Sequence, residues 1–140
     1  MNEGGIVLDT SAIFALIRDE PGADAVEAAL EQAGAEKTEV GVSFASLTEV
    51  FYHTLRLANH ARARELVGRI KAWPVSFIYP DEALCLAAGE IKASFSLSFA
   101  DAFVAATAQQ KKAMLFHKDP EFESLRGTVN LKALPYKTRR

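Results

Sequence analysis

The sequence predicts an α/β protein built on a mainly parallel sheet. Short apolar runs typical of buried strands alternate along the chain with longer helical segments. Parallel strands need crossover connections, which are usually helices. With 140 residues and 49% hydrophobic composition, the chain is long enough for one compact core and too short for two of ordinary size. We therefore expect one domain over residues 1–140.

The first half of the chain contains three predicted strands and four predicted helices. Residues 5–9 form a short buried strand, and a helix then runs from Ser11 to about Arg18, where residues 20–22 (Glu-Pro-Gly) break it. The other predicted elements in this half are a helix over 23–33, a weak strand over 39–43, helices over 46–58 and 60–73 separated by a turn at Asn59, and a strand over 75–79.

In the second half, Ala-rich segments over 81–93 and 98–111 predict helices, and 113–116 and 129–134 predict strands. In parallel α/β sheets, ligands lie outside the carboxyl ends of the strands. Asp9 and Asp119 both come just after a predicted strand. We therefore expect these two acids at the same edge of the sheet.

Three acidic residues stand alone in apolar stretches. Asp9 is the only charged residue from 6 to 17, Asp101 the only one from 94 to 110, and Glu49 the only one from 40 to 55 if histidine is neutral. A carboxylate removed from water without a partner loses roughly several kcal/mol, so it must be neutralised, paired or bound to a cation. Hard divalent cations prefer such oxygen ligands. Together the isolated acids favour a metal site.

Each acid also has a purely structural explanation. Segments 98–101 and 46–49 each begin with Ser and end with an acid, as in the capping box of a helix. Asp9 fits a helix N-cap after a strand, and Asp119 fits a turn or cap before a proline. The joint pattern favours a shared site, because all four acids are predicted at strand ends or in first helical turns.

Composition limits the other functions. A net charge of −2 and a pI near 5.9 argue against a protein that coats nucleic acid nonspecifically. Basic residues cluster within 56–71 and 137–140, which form either a solvated helix face and a loose tail or an RNA groove. The single cysteine, Cys85, excludes a disulfide framework, and we expect it in the core of a cytoplasmic protein. No apolar run has the length of a membrane span, and no export segment is expected.

Four motifs occur in a specific order over residues 6–134. They are Val7-Leu8-Asp9-Thr10-Ser11-Ala12, Leu47-Thr48-Glu49-Val50, Ser98-Phe99-Ala100-Asp101-Ala102, and Lys118-Asp119-Pro120-Glu121-Phe122. This combination resembles the PIN-domain nucleases, and its spacing resembles the VapC toxin type. The resemblance implies a three-layer αβα sandwich around a central, mainly parallel sheet. It also implies an endoribonuclease that depends on Mg²⁺ or Mn²⁺.

The resemblance further implies particular roles and partners. The acidic site would consist of Asp9, Glu49, Asp101 and Asp119, with Ser11 hydrogen-bonded beside it. Family members commonly carry Thr or Ser two residues before the last acid, where this chain has His117, so Glu121 can share or replace the last role. The implied partners are an RNA substrate, a second copy of the chain and a small antitoxin that covers the acidic groove. Apolar residues at 47, 51, 55, 66 and 70 form either a partner surface or core.

Other functions remain open from the sequence. The chain could be a PIN-like RNA- or protein-binding module with weak or no catalysis. Two of His53, His60 and His117 could instead act as general base and acid on an RNA 2′-hydroxyl without a metal. An aspartyl-phosphate phosphatase is disfavoured, because it needs a second Asp where Ser11 stands.

Overall fold

A computed structural model describes residues 4–136, in which five short strands alternate with helices. The strands are β1 (Ile6–Leu8), β2 (Val40–Ser43), β3 (Ser76–Ile78), β4 (Met114–His117) and β5 (Asn130–Ala133). The helices are α1 (Thr10–Ile17), α2 (Ala23–Gly34), α3 (Phe44–Leu57), α4 (His60–Lys71), α5 (Glu82–Ser94) and α6 (Phe99–Lys111), with a 3₁₀ helix at Pro120–Leu125. The basic cluster predicted at 137–140 lies outside the described residues.

The strands form one parallel sheet in the order β3-β2-β1-β4-β5. In the central pairings, Leu8 of β1 lies opposite Val42 of β2 and Phe116 of β4, so the carboxyl ends of these strands lie at one edge. The chain leaves β1 toward β2 on one side and later returns to β4 on the other. A crevice opens at such a reversal of strand order. The predicted parallel sheet is confirmed.

Helices cover both faces of the sheet. Successive strand residues point to opposite faces, so Val7 and Leu115 pack against α5 and α6, while Leu8 and Phe116 face a second core with α1, α2 and α4. The result is the three-layer αβα sandwich that the resemblance implied. α3 contributes Ala45 to the first core and Val50 to the second, because it begins at the edge of the sheet.

We expect Leu115→Ala to lower the free energy of unfolding by about 2–5 kcal/mol. Leu115 is completely buried between β4 and the α5–α6 layer, so truncation leaves a cavity as well as removing apolar contact. The neighbouring Met114 is 41% exposed, and Met114→Ala is the matched control, with an expected change below about 1 kcal/mol. Urea unfolding of both variants measures the difference, and equal losses would contradict this description of the core.

The start of α3 differs from the prediction. The helix begins at Phe44, and Ser43 is both the last residue of β2 and the N-cap, its hydroxyl accepting from Ala45 N–H at 3.1 Å. The predicted capping box over 46–49 is therefore wrong, and Glu49 lies in the second turn of α3. The reason is that strand and helix share a residue, which moves the helix start two residues earlier.

The placement of Cys85 in the core was also wrong, because Cys85 is exposed. α5 is apolar around most of its circumference, and packing selects Leu84, Ala88 and Ile91 as its buried face. This spacing leaves Cys85 on the outer side. The 3₁₀ helix at Pro120–Leu125 was not predicted.

The apolar positions on α3 and α4 divide into two groups. Leu66 and Ile70 of α4 belong to the core, as one of the two interpretations expected. Leu47, Phe51 and Leu55 of α3 are only half-buried. Within residues 4–136 no single helix is long and apolar enough to cross a membrane, and α5 and α6 reach that length and composition only as a pair bent by 118°.

Candidate metal centre

A cleft of about 600 Å³ lies at the carboxyl edge of the sheet. It is bordered by α1, α3, the start of α6 and the segment that follows β4. The four acids expected at the site all line it, and they come from four different parts of the chain. They are Asp9, Glu49, Asp101 and Asp119.

Asp9 joins β1 to α1 and is only 4% exposed. Its Oδ2 caps α1 by accepting from Ser11 N–H at 3.1 Å and from the Ser11 hydroxyl at 2.5 Å. Ser11 Oγ in turn accepts from Lys118 N–H at 2.9 Å, which ties Asp9 to the end of β4. Burial raises the pKa of Asp9 to about 6, although the Ser11 hydrogen bonds act in the opposite direction. The cap explanation thus holds for one carboxylate oxygen.

The other oxygen of Asp9 has no such role. Asp9 Oδ1 is buried, and no donor in the described part of the chain reaches it. An acceptor left in this way is costly unless something outside the chain satisfies it. A cation bound in the cleft would do so.

Glu49 is held by a side chain next to Asp9. The Thr10 hydroxyl donates to Glu49 Oε1 at 2.6 Å and also lies 2.9 Å from Ser46 Oγ. Thr10 and Ser46 are both buried, so the contact fixes the second turn of α3 against the start of α1. Neighbouring residues of α1 therefore position two acids from different elements.

Asp101 lies in the first turn of α6, and its N–H donates to Ser98 Oγ at 3.0 Å. The reciprocal bond of a capping box, from Ser98 N–H to the Asp101 carboxylate, is not formed among residues 4–136, although a hydrogen bond with the Ser98 side chain acts to lower the pKa of that carboxyl. Burial, together with the negative charges of Asp9, Asp119 and Glu49, raises the pKa of Asp101 to about 7. Asp101 is thus close enough to the other three carboxylates for their negative charges to repel its own.

Asp119 caps the 3₁₀ helix, its Oδ1 accepting from Glu121 N–H at 2.9 Å. One carboxylate oxygen from each of Asp101, Asp119 and Glu121 lies within 4.8 Å of the others. This spacing suits shared coordination of one ion. Glu121, which the resemblance allowed as a partner of the last acid, thus lies with Asp101 and Asp119 at this spacing, whereas Asp9 and Glu49 line the same cleft outside this group of three.

His117, the departure from the family pattern, is completely buried in β4. Its Nδ1 accepts from Asp119 N–H at 3.2 Å, and burial lowers the pKa of the ring, so the imidazole is neutral at physiological pH. Its Nε2 finds no partner in the described chain. His117 thus contacts the backbone of Asp119 without lining the cleft itself.

The geometry does not favour the metal-free reaction in which two histidines act as general base and acid. Of the three candidates, only His53 lines the cleft. His60 is exposed at the start of α4, and His117 has no accessible surface. A pair of histidines acting as acid and base is therefore not brought together.

Two polar residues of the cleft were missed by the sequence reasoning. Thr10 carries the contact to Glu49, and Lys118 is a buried cation whose Nζ donates to Pro21 O at 2.8 Å and lies 3.4 Å from Glu20 Oε1. Thr10 was recognisable in principle, since it directly follows an isolated acid. The Lys118 contacts join positions almost 100 residues apart, and no local pattern reveals them.

Comparison with known proteins supports the fold and identifies the family. No curated protein sequence matches the chain. The VapBC2 complex of Rickettsia felis, solved with a promoter DNA fragment, has a similar chain, with a TM-score of 0.74, 14% identity, and coverage of 93% of this chain and 98% of that one. The DNA-bound VapBC of Salmonella typhimurium is similar with a TM-score of 0.74 and 17% identity, and the match covers 92% of this chain and 97% of that one.

VapC20 of Mycobacterium tuberculosis, described as a toxin that cleaves the sarcin-ricin loop, gives a TM-score of 0.65 at 20% identity, covering 85% of this chain and 93% of that one. At these identities the likeness is one of fold. The sequence itself matches the PIN domain over residues 6–127, which span the sheet edge and all four acids. The chain therefore belongs to the PIN domain family.

Proposed function

We propose that this chain is an endoribonuclease that hydrolyses RNA phosphodiesters with Mg²⁺ or Mn²⁺, and that it is the toxin of a toxin–antitoxin pair. The proposed ligands are Asp9, Glu49, Asp101 and Asp119. The observation that carries the proposal is the meeting of these acids in one cleft, where a buried Asp9 oxygen has no donor. Glu121 is a further candidate ligand, since it lies within reach of Asp101 and Asp119.

The residues present fit a hard divalent cation. The donors are carboxylate oxygens, the ligand type that Mg²⁺ and Mn²⁺ prefer. Burial and mutual repulsion raise the pKa of Asp9 and of Asp101, so the deprotonated cluster is unfavourable without a positive charge between its members. When bound, the ion would activate a water and neutralise charge on the scissile phosphate.

The chain's own residues hold the acids in place for this chemistry. The Ser11 hydroxyl fixes Asp9 Oδ2, and the Thr10 hydroxyl fixes Glu49 Oε1. Ser11 is anchored in turn by the backbone N–H of Lys118. Because these contacts are short and largely buried, the carboxylates need little reorganisation to bind a cation. Hydrolysis at this site would leave a 5′-phosphate and a 3′-hydroxyl.

The toxin assignment draws on what the similar structures are. One similar structure, VapBC-5 of Mycobacterium tuberculosis, is a member of the VapBC family of toxin–antitoxin systems. By analogy, we propose that a small antitoxin covers the acidic cleft and that the chain forms a homodimer. The half-buried Leu47, Phe51 and Leu55 on α3 are available for such contacts.

Cleavage of a structured RNA by the purified protein tests the nuclease proposal. We expect no cleavage in EDTA, and cleavage after addition of Mn²⁺ or Mg²⁺, because the acids need a cation to act. End-group analysis should find 5′-phosphate and 3′-hydroxyl termini. A 2′,3′-cyclic phosphate formed in EDTA would support the histidine route instead. Absence of cleavage with every metal would favour the binding-module alternative.

A further inference from the structure

A row of rings and guanidinium groups begins at one wall of the cleft and continues beyond it along α3. Arg18 Cζ lies 4.1 Å from the centre of the Phe14 ring, which meets the His53 ring edge-on at 6.0 Å. His53 stacks on Tyr52 with centroids 4.6 Å apart, and Arg56 Cζ lies 5.0 Å above Tyr52. We call this group the aromatic flank; it consists of Phe14, Arg18, Tyr52, His53 and Arg56.

The aromatic flank continues directly from the acidic site. Phe14, Arg18 and His53 line the same cleft as the carboxylates. His53 follows Glu49 by four residues on α3, so the two side chains lie on the same helix face about one turn apart. An RNA strand bound at the acids would therefore pass along the aromatic flank as it leaves the cleft.

The exposed groups of the flank are free for a ligand. Arg18, His53 and Arg56 are exposed, whereas Phe14 is buried and Tyr52 half-buried, so inner rings support the outer groups. Neither guanidinium forms a salt bridge with a carboxylate of residues 4–136. An imidazole held on a second ring loses little freedom when another flat group stacks on it.

This chemistry matches an unpaired nucleotide. Single-stranded RNA is recognised through bases that stack on aromatic side chains or guanidinium planes, and its phosphates bind Arg. Bases in a duplex are not available for such stacking. The cations also offset the repulsion between the acidic cleft and the phosphate backbone.

We propose that the aromatic flank is a substrate subsite, in which an unpaired base stacks on His53 while Arg18 and Arg56 contact neighbouring phosphates. The proposal rests on the ribonuclease function proposed above and adds to it the residues of this chain that would hold the substrate beside the cleavage point.

Fluorescence anisotropy with a short labelled single-stranded RNA of mixed sequence, in Ca²⁺ to hold cleavage back, tests the subsite. We expect His53→Ala to weaken binding about 10-fold, and Arg56→Gln to weaken it while reducing the salt slope by about one. His60→Ala and Arg64→Gln are matched controls, exposed on α4 outside the cleft, and should bind like the wild type. Binding of the same sequence as a duplex should not change in His53→Ala.

An RNA with one abasic position separates stacking from charge. If a base stacks on His53, one abasic position should weaken wild-type binding about as much as His53→Ala, and the two changes together should cost no more than either alone. Equal affinities of His53→Ala and His60→Ala, with Mn²⁺-dependent cleavage intact in both, would overturn the subsite and leave the ribonuclease proposal standing. A wild-type protein that neither binds nor cleaves RNA would overturn both proposals.

Discussion

Replacing Asp9 or Asp101 with Asn is expected to lower Mn²⁺-dependent RNA cleavage by about 100-fold or more. Asn keeps the shape of the side chain but removes a negative charge from a site proposed to hold a divalent cation. Initial rates of cleavage at saturating Mn²⁺ measure the loss. Asp24→Asn is the control, because Asp24 is an exposed acid in the first turn of α2, away from the cleft.

Asp101→Asn should stabilise the metal-free fold even though it lowers activity. Without metal, Asp101→Asn removes a carboxylate that burial and three neighbouring negative charges disfavour, so its melting temperature in EDTA should exceed that of the wild type. A residue needed only for structure would lose activity and stability together. Wild-type activity in both variants, or an equal loss in Asp24→Asn, would show that these acids do not form the catalytic site.

The metal-free protein is expected to become less stable as the pH rises from about 5 to about 8, with a melting temperature lower by about 5 °C or more. In the folded protein the pKa of Asp9 is about 6 and that of Asp101 about 7, against 3.8 for an unperturbed Asp. At a pH between 3.8 and these raised pKa values, the folded state binds more protons than the unfolded state. The stability from these two groups is therefore fully present below their unfolded pKa and is lost as the pH rises through 6 and 7.

Metal should reverse this loss at the alkaline end. At about pH 8 the acids are ionised, so Mg²⁺ or Mn²⁺ should raise the melting temperature strongly, whereas at about pH 5 protons compete with the ion and the effect should be small. Thermal melts in EDTA and in each metal across this range measure both trends. The double variant carrying Asp9→Asn and Asp101→Asn should lose this fall, and its stability should instead rise slightly between about pH 5 and 6.5, because burial lowers the pKa of His117. A wild-type melting temperature in EDTA that climbs steadily with pH would contradict the raised pKa values.

The sequence predicted the order of elements because the buried strands and the Ala-rich helices have clear periods. It pointed to Asp9 and Asp101 because a lone acid in an apolar segment is costly and needs a reason. It failed at the start of α3, where a Ser-x-x-Glu pattern over 46–49 resembled a cap while Ser43 is the residue that caps. Local patterns cannot distinguish two serines three positions apart when the preceding strand decides which is used.

Contacts between distant parts of the chain were less predictable. The phase of α5, which exposes Cys85, depends on which side the neighbouring helix packs, since α5 is apolar on several faces. The buried Lys118 is paired with the loop after α1, and only the folded sheet edge brings the two together. Thr10 was quoted within a motif, but its partner Glu49 is 39 positions away. Such pairings follow from the topology and become visible only with it.

The direct passage from β2 into α3 has a consequence for how this chain can vary in length. With no spare residue at this junction, one inserted amino acid would turn the helix by about 100° and carry Glu49 away from Thr10. The opposite edge of the sheet is more permissive, because residues 35–37 between α2 and β2 are exposed and hold none of the acids of the cleft. We therefore expect insertions to be tolerated there and not where strands lead into the helices that carry the acids.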